Sequence, residues 1–506
     1  MAAGLASVAS ATPTGNSTPA GKAEQWGIFE MEVHGPATGN PFVDVQFGAR
    51  FTLEHRSVEA AGFYDGNGSY KVRFSPDATG TWSFETTSNV KELAGVTGSF
   101  ECVAATAGNR GPVSTAHQFH FQYTDGSTYL PFGTTCYSYG FFDEALAQET
   151  LRNLKSAGFN KVRICLLPKP QGKTQLAVMP FERIGAAAGA ETLSDDGKSK
   201  EKFDLKRLNP EYFQNFERRL QALLDAGIEA DIILFHPYDA WGFKAMDEEA
   251  DGRYLRYAVA RLSAYRNVWW SIANEYDLLK AKTMKDWDRF FRIVAESDPH
   301  SRLRSIHHSK VIYDHSKPWC THASLQEYDF EKSGARLAAW NKPIIYDEIQ
   351  YEGNISKRWG NLSAEEMTRR FWKAIVFGVY ATHGETYIST DGQPTWSDGG
   401  KLHGSSAPRI AFLRKLLERT GTTGLTAAEE PYYLNASEKG RCIFYYFDFH
   451  CVGEYEFPLP EKEKYKATMI DPWEMTETPI AGAFSGKSKI SLSGKPYQAV
   501  LFEKIS

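Results

Sequence analysis

The sequence NVWWSIANEYD, residues 267–277, is an apolar run that ends abruptly in a polar pair, Asn274 and Glu275. A short apolar run of this kind is typical of a strand that is buried on both faces, as in a parallel sheet. The stretch KPIIYDEIQYEG, residues 342–353, repeats the pattern and places Asp347 and Glu348 at its end. Both stretches predict strands that carry a carboxylate to the carboxyl edge of a parallel sheet.

Further short apolar runs lie on either side of these two stretches and alternate with segments of helical periodicity. Asn209-Pro210 predicts the start of one helix, and Ser363 with Glu366 predicts a capping box at another. Eight β/α units in about 300 residues predict a (β/α)8 TIM barrel over residues 109–425. The predicted strands are 130–135, 161–167, 229–236, 267–274, 302–307, 319–325, 343–348 and 382–388.

The segments that flank the predicted barrel have a different pattern. Residues 23–108 and 426–506 contain short alternating strands separated by turn residues, which predicts an N-terminal Ig-like β-sandwich and a C-terminal β-sandwich. Residues 1–22 are rich in Ala, Ser, Thr, Gly and Pro and predict a disordered tail. The expected fold class is therefore α/β, a TIM barrel between two β-sandwich domains.

Composition narrows the classes of function. The 506 residues carry a net charge of -5 without a basic run, so we expect no nucleic-acid partner. No apolar stretch reaches the roughly 20 residues of a membrane span, and we expect no membrane partner. Most of the six scattered cysteines are expected to be buried free thiols, with Cys442 and Cys451 placed so that they could face each other across a hairpin. The sequence as it stands has no convincing signal peptide and predicts a cytoplasmic location, or a secreted one if a signal has been removed; it does not indicate the oligomeric state.

The active site of a TIM barrel forms at the carboxyl ends of its strands, so polar residues there are the candidates for substrate binding. Some of them have a second interpretation: Arg163 as a structural ion pair, His236 as a residue that orients a loop, Glu385 as a partner of Arg163, and Trp396 as core. His307 and His308 have no carboxylate or cysteine at ligand spacing, so we predict no metal and no cofactor. The predicted substrate-binding residues are Asn274, Arg163, His236, Asp239, His308, His322, Gln326, Glu385, Tyr387 and Trp396.

The positions of Asn274, Glu275 and Glu348 resemble those of clan A of the glycoside hydrolases, which carries an Asn-Glu pair after strand four and a second Glu after strand seven. The stretches at 26–30 (WGIFE) and 39–42 (GNPF) resemble one branch with an N-terminal sandwich. The resemblance implies a retaining hydrolase of β-linked glycosides, with Glu275 as acid/base and Glu348 as nucleophile. It also implies that Asn274 binds a sugar hydroxyl and that Arg163 stabilises the charge of Glu348.

The chain departs from the clan after strands six and eight. Many members have a His-x-Tyr after strand six, where this chain has residues 322–324 (HAS), so we consider Gln326 or Tyr328 as the replacement. The Trp common after strand eight is absent, and Trp396 follows in the loop. Because of these departures, the resemblance does not identify the substrate sugar.

The mode of action has three interpretations. The long loop 170–203 predicts a wall at one end of the cleft, which favours exo action or short oligosaccharides. The first alternative is an endo-acting β-glucanase or mannanase-like enzyme. The second alternative is a non-hydrolytic carbohydrate-binding protein.

Overall fold

The computed structural model describes residues 9–11, 21–170, 178–185, 199, 201–388 and 396–505. Two compact units divide the chain. The first combines Met1–Val113 with Ile164–Arg304, and the second combines Ser114–Arg163 with Ser305–Ser506.

The N-terminal domain is a β-sandwich with an aromatic core. Its two sheets have the strand orders β1-β3-β7-β6 and β2-β9-β8-β4-β5, with Phe29, Phe51 and Trp82 buried in the core. The elements are β1 (Ala9–Ala11), β2 (Gly21–Glu24), β3 (Phe29–His34), α1 (Pro41–Asp44), β4 (Phe47–Leu53), β5 (Arg56–Ala61), β6 (Phe63–Gly66), β7 (Ser69–Phe74), β8 (Gly80–Ser88) and β9 (Thr97–Val103).

The predicted tail contains strand structure. Strand β1 pairs in parallel with β3, and β2, which begins at Gly21, pairs with β9. An exposed sheet edge offers unpaired N–H and C=O groups, so a short strand of small residues can add to it whatever its composition. The remainder of residues 1–22, namely 1–8 and 12–20, lies outside the described residues.

The middle of the chain alternates strands and helices. The strands are β10 (Val113–Ala116), β11 (His120–Tyr123), β12 (Thr128–Tyr129), β13 (Gly133–Thr135), β14 (Lys161–Cys165), β15 (Phe181–Arg183), β16 (Phe203–Leu208), β17 (Glu229–Phe235), β18 (Val268–Ala273), β19 (Arg304–Ser305), β20 (Ala323–Leu325), β21 (Ile344–Tyr346), β22 (Glu352–Gly353), β23 (Tyr380–His383) and β24 (Glu385–Thr386). The helices are α2 (Glu144–Ser156), α3 (Pro210–Asp225), α4 (Glu248–Leu262), α5 (Met284–Ser297), α6 (Ser333–Trp340), α7 (Ala364–Val376) and α8 (Ser406–Thr420).

Eight of these strands form one parallel, nearly closed barrel. Their order is β19-β18-β17-β14-β13-β23-β21-β20, and a parallel bridge between His307 and Ser324 joins the two ends. The prediction of a TIM barrel is thus confirmed, and each of the first seven predicted runs contains its barrel strand. The eighth strand differs, because β23 ends at His383 and Glu385 belongs to β24, which pairs with β22. The break falls at Gly384, which lies so close to the ring of Tyr351 that a side chain does not fit.

The helix starts are only partly as predicted. Asn209 caps α3, with its side chain accepting from the N–H of Glu211. Ser363 likewise caps α7 by accepting from the N–H of Glu366. The second half of the capping box is missing, because the Glu366 carboxylate binds Nε of Arg370, one helical turn away, at 2.7 Å.

A buried ion cluster links the N-terminal domain to barrel helices within the first unit. Arg73 on β7 lies 2.6 Å from Glu30 and 2.7 Å from Glu217 of α3. Arg261 of α4 lies 2.6 Å from Glu217 and 2.7 Å from Asp65. Since a buried charge is tolerated only when it is paired, these contacts fix the domain against α3 and α4.

The C-terminal domain has a six-stranded sheet, β25-β26-β27-β32-β29-β30, and a two-stranded one, β28-β31. It contacts α7 within the second unit, where Arg369 pairs with Asp448 at 2.5 Å and Trp372 stacks on Tyr446. Its strands are β25 (Thr426–Ala427), β26 (Leu434–Glu438), β27 (Cys442–Tyr446), β28 (Glu454–Pro458), β29 (Tyr465–Asp471), β30 (Thr476–Phe484), β31 (Lys487–Ser491) and β32 (Ala499–Lys504).

Two sequence expectations concern the chain as a whole. The six cysteines are free thiols, five of them buried. Among the described residues, no helix combines the length and the apolar character needed to cross a bilayer.

Candidate active site

Glu348 lies two residues beyond β21, at the carboxyl end of that barrel strand, and only 7% of it is exposed. Its Oε1 accepts a hydrogen bond from the hydroxyl of Tyr137, and its Oε2 accepts one from Nε2 of Gln326 at 2.7 Å. Nη1 of Arg163 lies 3.8 Å from Oε1. Two donors and a guanidinium therefore orient the carboxylate and stabilise its negative charge.

The partners of Glu348 come from three other barrel strands. Arg163 lies in β14, Gln326 follows β20, and Tyr137 follows β13 by two residues. The hydroxyl of Tyr137 also contacts that of Tyr351 at 2.9 Å. Burial, followed by the charge of Glu348, raises the pKa of Tyr137 well above its ordinary value, so the phenol keeps the proton that it donates.

Two residues of this chain take the place of the tyrosine that many clan A members carry after strand six. Gln326, one of the two candidates from the sequence, contacts Glu348 directly. The other, Tyr328, is exposed and lies beneath the guanidinium of Arg370, 4.1 Å from ring centroid to Cζ. Tyr137, which the sequence analysis did not single out, supplies the phenol from the first strand instead of the sixth.

Asp347 anchors the residue before Glu348 inside the barrel. It accepts from Nζ of Lys161 at 2.8 Å and from the hydroxyls of Ser324 at 2.6 Å and Thr382 at 2.8 Å. Burial opposes ionisation, but the ammonium of Lys161 and the guanidinium of Arg163 hold the pKa of Asp347 well below its ordinary value. The side chain is therefore a structural anion.

Glu275 directly follows Asn274 beyond β18, and 8% of it is exposed. The hydroxyl of Tyr238 donates to its Oε2, and Nδ2 of Asn274 lies 3.4 Å from that hydroxyl. Glu275 has a left-handed backbone, with φ of +45°. A non-glycine residue in this region costs about 1–2 kcal/mol, and such strain is concentrated at functional sites.

Two predicted binding residues near Glu275 in the chain contact backbone atoms. Nε2 of His236 donates to the carbonyl of Leu167 at 2.9 Å, and burial lowers the pKa of His236 to about 4, so its ring is neutral. Asp239 accepts from the N–H groups of Trp241 at 2.7 Å and Lys244 at 2.9 Å. These contacts match the interpretation of His236 as a residue that orients a loop, and Asp239 does the same.

Three predicted binding residues in the second unit are buried. Trp396 is fully buried and its Nε1 donates to Oγ1 of Thr134 at 2.8 Å, as expected for core packing. His322 precedes β20 and packs edge-on against Phe121, so it lies at the amino end of the strand whose carboxyl end presents Gln326. His308 is also buried, with its ring 6.2 Å from that of His307.

Glu385 and Tyr387 belong to a second buried cluster. Glu385 accepts from the N–H groups of His403 at 2.5 Å and Gly404 at 2.9 Å, so it holds a loop instead of pairing with Arg163. The hydroxyl of Tyr387 donates to Oε1 of Glu352 at 3.2 Å.

This cluster has the spacing of a metal site. Glu352, His383 and Glu385 have ligand atoms within 4.8 Å of one another. The oxygens of Glu352 already accept from Ser405 and Ser406, however. N–H groups that converge on a carboxylate favour an anion and disfavour a cation, so these donors do not fit a metal.

A nearly closed parallel barrel whose fourth and seventh strands are each followed by a buried glutamate is the arrangement of a glycoside hydrolase. The family model described as "Apiosidase-like, catalytic domain" matches residues 115–423, and the chain belongs to this family. Two further models, both described as domains of unknown function (DUF5060 and DUF5605), match residues 22–89 and 431–503.

Solved structures agree with this assignment. The crystal structure of a putative glycoside hydrolase from Bacteroides vulgatus is 34% identical, with a TM-score of 0.90, and the match covers 96% of this chain and 100% of that one. A family 5 glycoside hydrolase from the same organism is 14% identical, with a TM-score of 0.56 over 78% of this chain and 93% of that one, and so shares the fold. No curated protein matches the chain.

Proposed function

We propose that this glycoside hydrolase cleaves a β-linked glycoside with retention of configuration, with Glu348 as the nucleophile and Glu275 as the acid/base. The observation that carries the proposal is the set of groups around Glu348. Tyr137 and Gln326 each donate to one of its oxygens, and Arg163 lies 3.8 Å away. A nucleophilic carboxylate must be ionised and oriented, and this environment favours both.

The reaction has two steps. In the first, a carboxylate oxygen of Glu348 bonds to the anomeric carbon while the bond to the leaving oxygen breaks, and Glu275 gives that oxygen a proton. In the second, Glu275 takes a proton from water, which attacks the anomeric carbon and releases Glu348. Tyr238 orients the carboxyl group of Glu275, and Asn274 binds the sugar hydroxyl next to the anomeric carbon.

The family description supports a proposal for the sugar. Apiose is a branched furanose, and we expect a terminal β-apiosyl or related furanosyl group to be the preferred substrate. Action at a chain end or on short oligosaccharides belongs to the same proposal. The loop 170–203, on which the exo prediction rests, lies largely outside the described residues.

A panel of aryl glycosides tests the proposal, with α and β anomers of furanoses, including apiose, and of pyranoses. Wild type should release the phenol from one β-glycoside, and proton NMR should show the β anomer as first product. Glu348→Gln should abolish release, and Glu275→Ala should reduce it strongly but recover with azide, which needs no base. Exposed Glu248 on α4 provides a matched control, and Glu248→Gln should be fully active.

Two outcomes would overturn the mechanism. Activity that survives in Glu348→Gln would remove the nucleophile from the proposal. An α anomer as the first product from a β-glycoside would show inversion, which requires a water in place of the covalent intermediate.

A further inference from the structure

A cavity of about 530 Å³ lies in the first unit, between the segment 41–47, strand β6 and helix α4. Ligand sites typically occupy about 300–1,000 Å³. We propose that this cavity is a second carbohydrate site, which binds an oligosaccharide that carries carboxylate groups. The proposal rests on the proposed function, because the cavity binds the same polymer that the enzyme cleaves.

One wall of the cavity is aromatic and rigid. The ring of Phe42 meets the rings of Tyr64 and Tyr257 edge-on, with centroids 5.2 and 5.6 Å away. The hydroxyl of Tyr257 donates to the carbonyl of Tyr64 at 2.8 Å, which ties α4 to β6. Phe42, Phe47 and Tyr64 are half-buried and all line the cavity. Preformed apolar surface with polar groups beside it suits a sugar, whose rings have apolar faces and polar edges.

The lining of the cavity also carries excess positive charge. Arg253 and Arg256 lie three positions apart on α4, so they are neighbours on the helix surface, and both line the cavity with Glu249. Nη1 of Arg253 donates to the carbonyl of Leu205 at 3.0 Å, and Arg256 is exposed. Neither arginine forms an ion pair within the described part of the chain.

The positive charge of the two arginines favours a sugar that carries a carboxylate. Guanidinium groups bind carboxylates by paired hydrogen bonds, and a neutral oligosaccharide gains little from two of them. A uronic acid unit presents a carboxylate on a ring that also packs against aromatic side chains. Because a second site raises the local concentration of polymer, it should matter for long substrates and not for small aryl glycosides.

Calorimetry with the Glu348→Gln protein, which cannot turn over, tests the proposal. A hexamer of galacturonic acid should bind, and a neutral hexamer of glucose should bind at least about 10-fold more weakly. Arg256→Gln, added to this protein, should weaken binding of the acidic hexamer by about 10-fold. Arg218→Gln removes the same charge from the exposed face of α3 and should leave binding unchanged.

Other results would overturn the proposal. Equal binding of the neutral hexamer, or affinity that Arg256→Gln and Phe42→Ala leave intact, would show that the cavity is not the site. Equal binding of polyglutamate or single-stranded DNA would show a general anion site. Hydrolysis of small aryl glycosides, measured on wild type and Arg256→Gln, reports the proposed function separately. The rate of this hydrolysis should be the same in both proteins. If the acidic hexamer binds at the cavity but no aryl glycoside is hydrolysed, the cavity assignment stands and the proposed mechanism is refuted.

Discussion

Nζ of Lys161 lies 2.8 Å from Oδ1 of Asp347, and both side chains are completely buried. Lys161 begins the second barrel strand, β14, and Asp347 directly follows the seventh, β21. The pair therefore ties two strands together directly before Glu348. Its role is to fix the backbone from which the proposed nucleophile projects.

Breaking this pair should destabilise the protein strongly. Lys161→Met leaves the carboxylate of Asp347 buried without its main counter-charge, which costs about 3–5 kcal/mol in comparable cases. Urea unfolding should show a loss of that size. The double variant Lys161→Met/Asp347→Leu should recover part of the loss, because no unpaired charge remains. A single variant within about 1 kcal/mol of wild type would contradict the role given to the pair.

Removing the phenol of Tyr137 should affect catalysis more than stability. Tyr137→Phe keeps the buried ring but deletes a donor to Oε1 of Glu348. We expect kcat to fall by about 10- to 100-fold, or about 1.4–2.7 kcal/mol in the barrier, with little change in KM. Steady-state kinetics on the best aryl glycoside provide the measurement.

Tyr351 provides the matched control for this variant. Its hydroxyl contacts that of Tyr137 at 2.9 Å, so Tyr351→Phe deletes a buried phenol one contact further from Glu348. We expect a smaller fall in kcat than in Tyr137→Phe. Equal effects of the two substitutions would indicate general damage to the pocket and not a specific role of Tyr137.

The barrel was predictable because its strands are buried on both faces and read as apolar runs. The same reasoning located Glu275 and Glu348, each of which directly follows such a run. Tyr137 followed the first run in the same way, and its position after β13 was the available signal for it.

Other positions depend on pairings that a single strand does not encode. His322 lies in an apolar run, but only the start of β20 after it shows that it occupies the amino end. The contact of Lys161 with Asp347 joins residues 186 positions apart. Glu385 lies within the eighth predicted run, 382–388, yet the close packing of Gly384 on Tyr351 separates it from the barrel sheet.

The effect of removing the hydroxyl of Tyr238 should depend on how strongly the leaving group needs a proton. Its hydroxyl donates to Oε2 of Glu275, the proposed acid/base. A dinitrophenyl leaving group departs without protonation, whereas a sugar or alkyl leaving group needs a proton. For Tyr238→Phe we expect cleavage of a disaccharide to slow by about 10- to 100-fold and cleavage of a dinitrophenyl glycoside by less than about 3-fold. Equal factors for both substrates would contradict the assignment of Glu275 as the acid.

Glu385 should make stability depend on pH. Burial raises its pKa from 4.5 to about 7. Between these values the folded protein keeps a proton that the unfolded chain releases, so this residue's contribution to stability is lost as pH rises from about 4.5 to about 7 and stays constant above that. The total change should be about 3 kcal/mol.

Comparison with Glu385→Gln isolates this contribution, because glutamine does not titrate. Its single oxygen accepts from only one of the N–H groups of His403 and Gly404, and that loss is the same at every pH. Burial likewise raises the pKa of Glu229 to about 7, and that residue contributes equally to both proteins, so it cancels in the difference. Urea unfolding at pH 5, 6, 7 and 8 should show wild type losing stability relative to the variant as pH rises. A constant difference across this range would mean that the carboxyl group of Glu385 titrates at its ordinary value and is ionised when it holds the loop.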